Sequence, residues 1–136
     1  MKTLILAVLV AFSAALWAGD KECADCACPE ITQSELAKAI EAKQVVLIDV
    51  NGTESFTKAH IPGAIDAEAA GADLAKQLPA DKGALVVAYC GGPKCAAWKS
   101  GASAAVEAGY TNVKHFKGGI SGWKEAGGTV EAAAAH

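Results

Sequence analysis

Two stretches of the chain are apolar at nearly every position: Val45 to Val50 (VVLIDV), broken only by Asp49, and Ala84 to Tyr89 (ALVVAY). A strand with one wet face alternates polar and apolar residues. A run without that alternation, rich in Val and Ile and too short for a core helix, suits a strand buried on both faces. Such strands belong to parallel sheets covered by helices on each side. These two runs therefore constrain the chain towards an α/β domain with a mainly parallel sheet.

The segments around them supply the helices. Thr32 and Glu35 form a Thr-x-x-Glu capping box, and Leu36, Ala39 and Ile40 then share one face, which predicts a helix to about Lys43. Asn51-Gly52 is a turn signal, followed by a short predicted helix near Glu54 to Lys58. Ile61-Pro62-Gly63 is a rigid turn, Ala64 to Asp66 a short predicted strand, and Ala70 to Leu78 a predicted helix. Cys95 to Ala108 is rich in helix formers and meets a stop at Gly109. Asn112 to Phe116 reads as a further strand, Gly118-Gly119 as a turn and Ile120 to Ala126 as the last helix. The stretch 128–136 is Ala-rich and expected to be a flexible tail. No internal repeat is present.

Cys90 directly follows the second apolar run and opens a Gly-Gly-Pro loop that leads into a helix. Ligands of open α/β sheets bind beyond the carboxyl ends of the strands. Glycines let such a loop fold tightly with amide groups turned inward, an arrangement that attracts negative charge and lowers a thiol's pKa. Cys90 therefore stands where a site is expected, and a thiolate or persulfide placed there would be stabilised. Pro93 contributes no N–H, and Lys94 adds positive charge at the rim. Asp49, at the end of the other run on the same edge, is a candidate supporting residue or a cap for nearby backbone.

The N-terminus carries a different signal. Lys2 precedes an apolar run from Leu4 to Leu16, interrupted only by Ser13, and Ala18 precedes Gly19 and the charged Asp20-Lys21-Glu22. This is the layout of a secretory signal peptide over residues 1–18, with cleavage expected after Ala18. The run falls short of the roughly 18–20 apolar residues a bilayer span needs. No stable membrane span is expected after cleavage, and the expected location is the periplasm or outside the cell. Residues 19–29 then form a cysteine-containing arm, and 30–127 the folded domain. The formal net charge of -3, with no basic stretch, argues against a nucleic-acid partner. Alanine inflates the mean hydropathy of +0.25, so that value does not indicate a membrane protein.

All five cysteines lie beyond residue 18. Export allows disulfides, and an odd number leaves at least one thiol free or paired externally. Cys23, Cys26 and Cys28 are a dense cluster open to several readings: a disulfide, a soft metal such as zinc or copper(I), a thiol that relays sulfur to or from Cys90, or no defined role. No nearby His completes a four-ligand zinc site.

Several segments together resemble the rhodanese family: VVLIDV, His60-Ile61-Pro62-Gly63-Ala64, Tyr89 to Cys95 (YCGGPKC), Gly109-Tyr110-Thr111-Asn112-Val113, and Gly118 to Trp123 (GGISGW). They occur in the family's order over roughly residues 30–125. The resemblance implies a rhodanese-like, mainly parallel five-stranded sheet flanked by helices on both faces. It also implies a sulfurtransferase reaction without a cofactor. On this resemblance Cys90 would be the nucleophile that takes sulfane sulfur from a small anionic donor such as thiosulfate, holds it as a persulfide within the substrate-binding loop Gly91, Gly92, Pro93, Lys94 and Cys95, and passes it to cyanide, a thiol or a protein acceptor. Two departures stand out: Asn51 occupies a position where the family often has Arg, and Ala59 replaces a common Gly. A phosphatase relative would need Arg six positions after the cysteine, where this chain has Ala96.

Cys95 divides the remaining readings. As a resolving thiol it would attack the Cys90 persulfide and leave a Cys90–Cys95 disulfide; otherwise it simply begins the following helix. A non-enzymatic sulfur or metal carrier or sensor, and a thiol–disulfide protein using Cys90 and Cys95, are the alternatives to an enzyme. His60 is read as structural before its turn, although a His can serve a thiol as base. Trp123 is read as core and Lys99 as a solvated residue. His115 and His136 receive no role.

Overall fold

The structure, a computed structural model, describes residues 28–133. The expected signal peptide, Cys23, Cys26 and His136 lie outside the described residues. Four parallel strands form the sheet: β1 (Val45–Asp49), β2 (Ile65–Asp66), β3 (Leu85–Tyr89) and β4 (Asn112–Phe116), in the order β2-β1-β3-β4. Val45 pairs with Leu85, and Leu85 with Asn112, so the carboxyl ends of β1, β3 and β4 finish level.

The resemblance implies five strands, whereas among the described residues the sheet has four. In place of a fifth there is a single parallel bridge between Glu30 and His115 on the open side of β4. Ile31 donates to the His115 carbonyl at 2.9 Å, and His115 donates to that of Pro29 at 3.0 Å. The pairing cannot lengthen. Pro29 has no N–H to give, and Thr32 is already committed to capping helix α1 (Gln33–Glu41). The capping box forms as expected: Glu35 donates its amide to the Thr32 hydroxyl at 3.3 Å, and its carboxylate accepts from the Thr32 amide at 3.0 Å.

The unbroken apolar runs have a direct cause. Neighbours along a strand point to opposite sides, and both sides are covered. Ile48, Val86, Ala88 and Val113 pack with Leu74, Leu78, Ala102 and Ala105 on one face. Leu47, Val87, Tyr89 and Phe116 pack with Leu36, Ile61 and Trp123 on the other. Each fully buried aliphatic side chain contributes roughly 1.5–3 kcal/mol of transfer free energy. The sheet interior is therefore where most of the stability resides.

Helix α2 (Thr53–Lys58) follows β1. The helix expected over 70–78 is instead three short pieces: α3 (Ala67–Ala70), a 3-10 turn (Gly71–Asp73) and α4 (Leu74–Gln77). The Asp66 carboxylate caps the first piece by accepting from the amides of Glu68 and Ala69. Gly71, at a φ of 49°, interrupts the helical path. Helix α5 (Trp98–Glu107) starts three residues later than its composition suggests, because Cys95 is drawn into the loop before it. Gly101 lets α5 lie close on the sheet: a Cβ there would stand 3.0 Å from the side chains of both Ile48 and Val50.

Helix α6 (Gly119–Glu125) closes the domain. Within the expected flexible stretch 128–136, the first residues are tied down. Trp123 donates its indole N–H to the Thr129 carbonyl at 2.7 Å, and Glu131 pairs with His60 through both backbone groups at 2.8 and 2.9 Å. No helix among the described residues is long and apolar enough to cross a membrane.

Candidate active site

Cys90 sits immediately past β3, buried, at the carboxyl edge of the sheet. The residue before it is anchored from below. The Tyr89 hydroxyl donates to Asp49 Oδ2 at 2.7 Å and accepts the Ile61 amide at 3.0 Å. The other carboxylate oxygen of Asp49 accepts from the Asn51 amide at 2.8 Å. Asp49 thus caps backbone and also fixes the neighbour of Cys90. Burial pushes its carboxyl above the usual value, opposed by the hydroxyl of Tyr89 and the amide of Asn51. Burial and the charge on Asp49 push the Tyr89 hydroxyl far up, so it acts only as a neutral hydrogen-bond donor.

The loop itself is organised by its carbonyl groups. Cys90 O accepts from the Ile120 amide at 2.9 Å, and Gly91 O from the Ser121 amide at 3.0 Å. Gly92 O accepts from the Cys95 amide at 3.0 Å, which closes a four-residue turn with Pro93 at its second position, where proline is favoured. Among the described residues, no protein acceptor takes the N–H of Gly91, Gly92 or Lys94. The turn brings Cys95 back onto Cys90, and the two are joined as a disulfide with their Cα atoms 6.3 Å apart. Cys95 is partly buried; Pro93 and Lys94 are exposed.

Gly119 presses directly on this loop. Its φ is +60°, and a Cβ there would stand 2.4 Å from Cys90 O and 2.6 Å from Gly92 N. Only glycine fits. On the other flank, Asn51 reaches the loop: a Cβ on Gly91 would stand 3.4 Å from its Oδ1. Asn51 also lines an open cleft of about 400 Å³ with Val50, Gly52, Ala67, Glu68 and Ser100. The far end of the loop is fixed where the Trp98 ring stacks on His115 at 4.0 Å. His115 Nδ1 in turn lies 2.9 Å from the Cys28 carbonyl oxygen.

The residues singled out from the sequence therefore separate into two groups. Asp49 and Cys90 to Cys95 come together at one edge. His60 does not join them: its ring stacks on Phe56 at 3.8 Å, its Nδ1 lies 2.8 Å from Phe56 O, and its Nε2 is 3.8 Å from Glu131. Trp123 is core, edge-on to Phe116, and Lys99 is exposed. Of the cysteine cluster only Cys28 is described, and it is buried. Among the described residues no group of His, Cys, Asp or Glu is placed to hold a metal ion. Gly119 and the Trp98–His115 stack were not identified from sequence as parts of the site. The first had a signal in its double glycine; the second had none.

A cysteine closing a central parallel strand, on a glycine-rich loop packed against the final helix, defines a thiol site at the carboxyl edge of an α/β sheet. The family model for the rhodanese-like domain matches residues 32–126, and the chain belongs to that family. It is 30% identical over 97 residues to the thiosulfate sulfurtransferase GlpE of Shewanella oneidensis, covering 71% of this chain and 92% of that protein. It is 37% identical over 102 residues to the HTH-type transcriptional regulator Rv0324 of Mycobacterium tuberculosis, covering 74% of this chain but 44% of the regulator. Among solved structures, the BH2092 protein of Bacillus halodurans superposes with a TM-score of 0.65 at 28% identity, covering 76% of this chain and 77% of that one.

Proposed function

We propose that the protein is an exported sulfurtransferase in which Cys90 carries sulfane sulfur. The observation that carries this reading is the state of the 90–95 loop. Its carbonyls from Cys90 to Gly92 are drawn off by Ile120, Ser121 and Cys95, while the amides of Gly91, Gly92 and Lys94, beside a buried cysteine, have no protein acceptor among the described residues. Amides in that state can stabilise a thiolate or persulfide. The similarity to a thiosulfate sulfurtransferase over 92% of that protein's length supports the same reading.

The reaction needs the reduced loop. The Cys90 thiolate attacks the sulfane sulfur of thiosulfate, a sulfur–sulfur bond forms, and sulfite leaves with the electron pair of the bond that breaks. A thiolate or cyanide then attacks the outer sulfur of the persulfide, and Cys90 departs as thiolate. Lys94, exposed on the loop, is the feature available to receive an anionic donor.

Incubating reduced Cys95→Ser protein, in which no second thiol of the loop can attack Cys90, with thiosulfate tests this. The peptide containing Cys90 gains one sulfur atom, added cyanide removes it as thiocyanate, and Cys90→Ser abolishes both. No gain of mass at Cys90 overturns the assignment. The similarity to a transcriptional regulator favours a second reading, a sulfur-holding sensor; it predicts that Cys90 loads but yields nothing to cyanide. Export is tested by cell fractionation and by sequencing the mature N-terminus, which is expected at Gly19.

A further inference from the structure

We infer that Cys95 of the same loop resolves the persulfide on Cys90, which makes the protein a hydrosulfide-releasing enzyme that stores the oxidising equivalents as a disulfide. The inference rests on the sulfurtransferase reading and specifies where the sulfur goes next. The Cys95 thiolate attacks Cys90 Sγ, the bond from Cys90 Sγ to the outer sulfur breaks, and the outer sulfur leaves as hydrosulfide with the electron pair. The sulfane sulfur is reduced, the two cysteines are oxidised to the disulfide, and the charge is balanced. A small or protein dithiol then reduces the disulfide by exchange and restores both thiols.

Three observations carry this. The bonded pair shows that Cys95 reaches Cys90 with the backbone as folded, at a Cα separation of 6.3 Å that is within the ordinary disulfide range. The reach is built in: the turn from Gly92 to Cys95, closed by the 3.0 Å bond from the Cys95 amide to Gly92 O, folds a separation of five residues back on itself. Cys90 is buried whereas Cys95 is partly exposed, so the second thiol sits on the side from which an external acceptor would have to approach. An attacking thiol held on the same loop has an effective concentration far above that of a dissolved thiol. It therefore intercepts the persulfide first.

The test uses the full chain, fully reduced and freed of reductant, mixed with thiosulfate and quenched with an alkylating agent. Hydrosulfide and intact mass are read together. Wild type is expected to release hydrosulfide in an amount equal to the protein and then stop, with Cys90 and Cys95 both refractory to alkylation. A dithiol restarts release. Cys95→Ser is expected to hold one extra sulfur on Cys90 and to release no hydrosulfide; Cys95→Ala serves if the serine variant misfolds. A wild-type protein that keeps its persulfide while Cys95 alkylates overturns the inference and leaves the sulfurtransferase reading intact. Failure of the wild type and of both Cys95 variants to take up sulfur removes the sulfurtransferase reading and this inference together.

Discussion

Cys90 and Cys95 are bonded to each other, yet the chain holds them in different ways. Cys90 is fixed through its own carbonyl to Ile120, through Gly91 to Ser121, and through Tyr89 to Asp49 and Ile61. Cys95 is held by one hydrogen bond, donated by its amide to the Gly92 carbonyl, and by the disulfide. The first is placed by contacts of the fold that do not involve its sulfur. The second is placed by a turn at the rim. In the proposed reaction, the difference separates a sulfur whose surroundings stay constant from one that must approach and withdraw.

The comparison breaks most visibly at Gly119. In Gly119→Ala the new Cβ collides with Cys90 O and Gly92 N, and a non-glycine residue must adopt positive φ. The expected loss is about 2–4 kcal/mol, combining left-handed strain with overpacking, read by urea denaturation. Sulfur loading of Cys90 is expected to fall with it, because the loop carbonyls lose their partners on α6. A variant that loads normally would show that α6 does not hold the loop.

Next is Tyr89→Phe. It leaves the Ile61 amide and one oxygen of Asp49 buried without their partner, at a cost of about 1–3 kcal/mol. The fixed end of the loop loosens while the turn to Cys95 is untouched, so the disulfide still forms but loading slows. Thr32→Ala is the control remote from the loop. Loss of the capping box costs about 1 kcal/mol, and loading kinetics measured below the unfolding transition stay at the wild-type value. The smallest effect is the pH dependence from Asp49. Its folded carboxyl lies above the ordinary 3.8, so the folded chain binds that proton more readily than the unfolded chain. Its contribution is fully present below 3.8 and is lost as pH rises through the folded value. Asp49→Asn is expected to remove that slope from the difference between the two stability profiles.

Much of this arrangement was legible in the chain. The two continuous apolar runs became the central strands because each carries residues for both covered faces, and Cys90 landed at the sheet edge because it follows one of them. The capping box at Thr32 and Glu35 formed as read. Features that depend on distant partners were not legible. Gly119 is constrained by Cys90 and Gly92, far back in the chain, and a local reading sees only a turn. Trp98 and His115 meet across the α5–β4 connection with no shared pattern. The late start of α5 follows from the tether on Cys95, which overrides helix-forming composition. The single bridge at Glu30 follows from Pro29 on one side and the cap on the other.

The central claim is that the loop amides keep the sulfur of Cys90 anionic near neutral pH. Alkylation of reduced Cys95→Ser protein, followed at Cys90 across pH, tests it directly. The account predicts a rate whose midpoint lies at least a full unit below the roughly 8.5 of an ordinary cysteine. A midpoint at or above that value would contradict it.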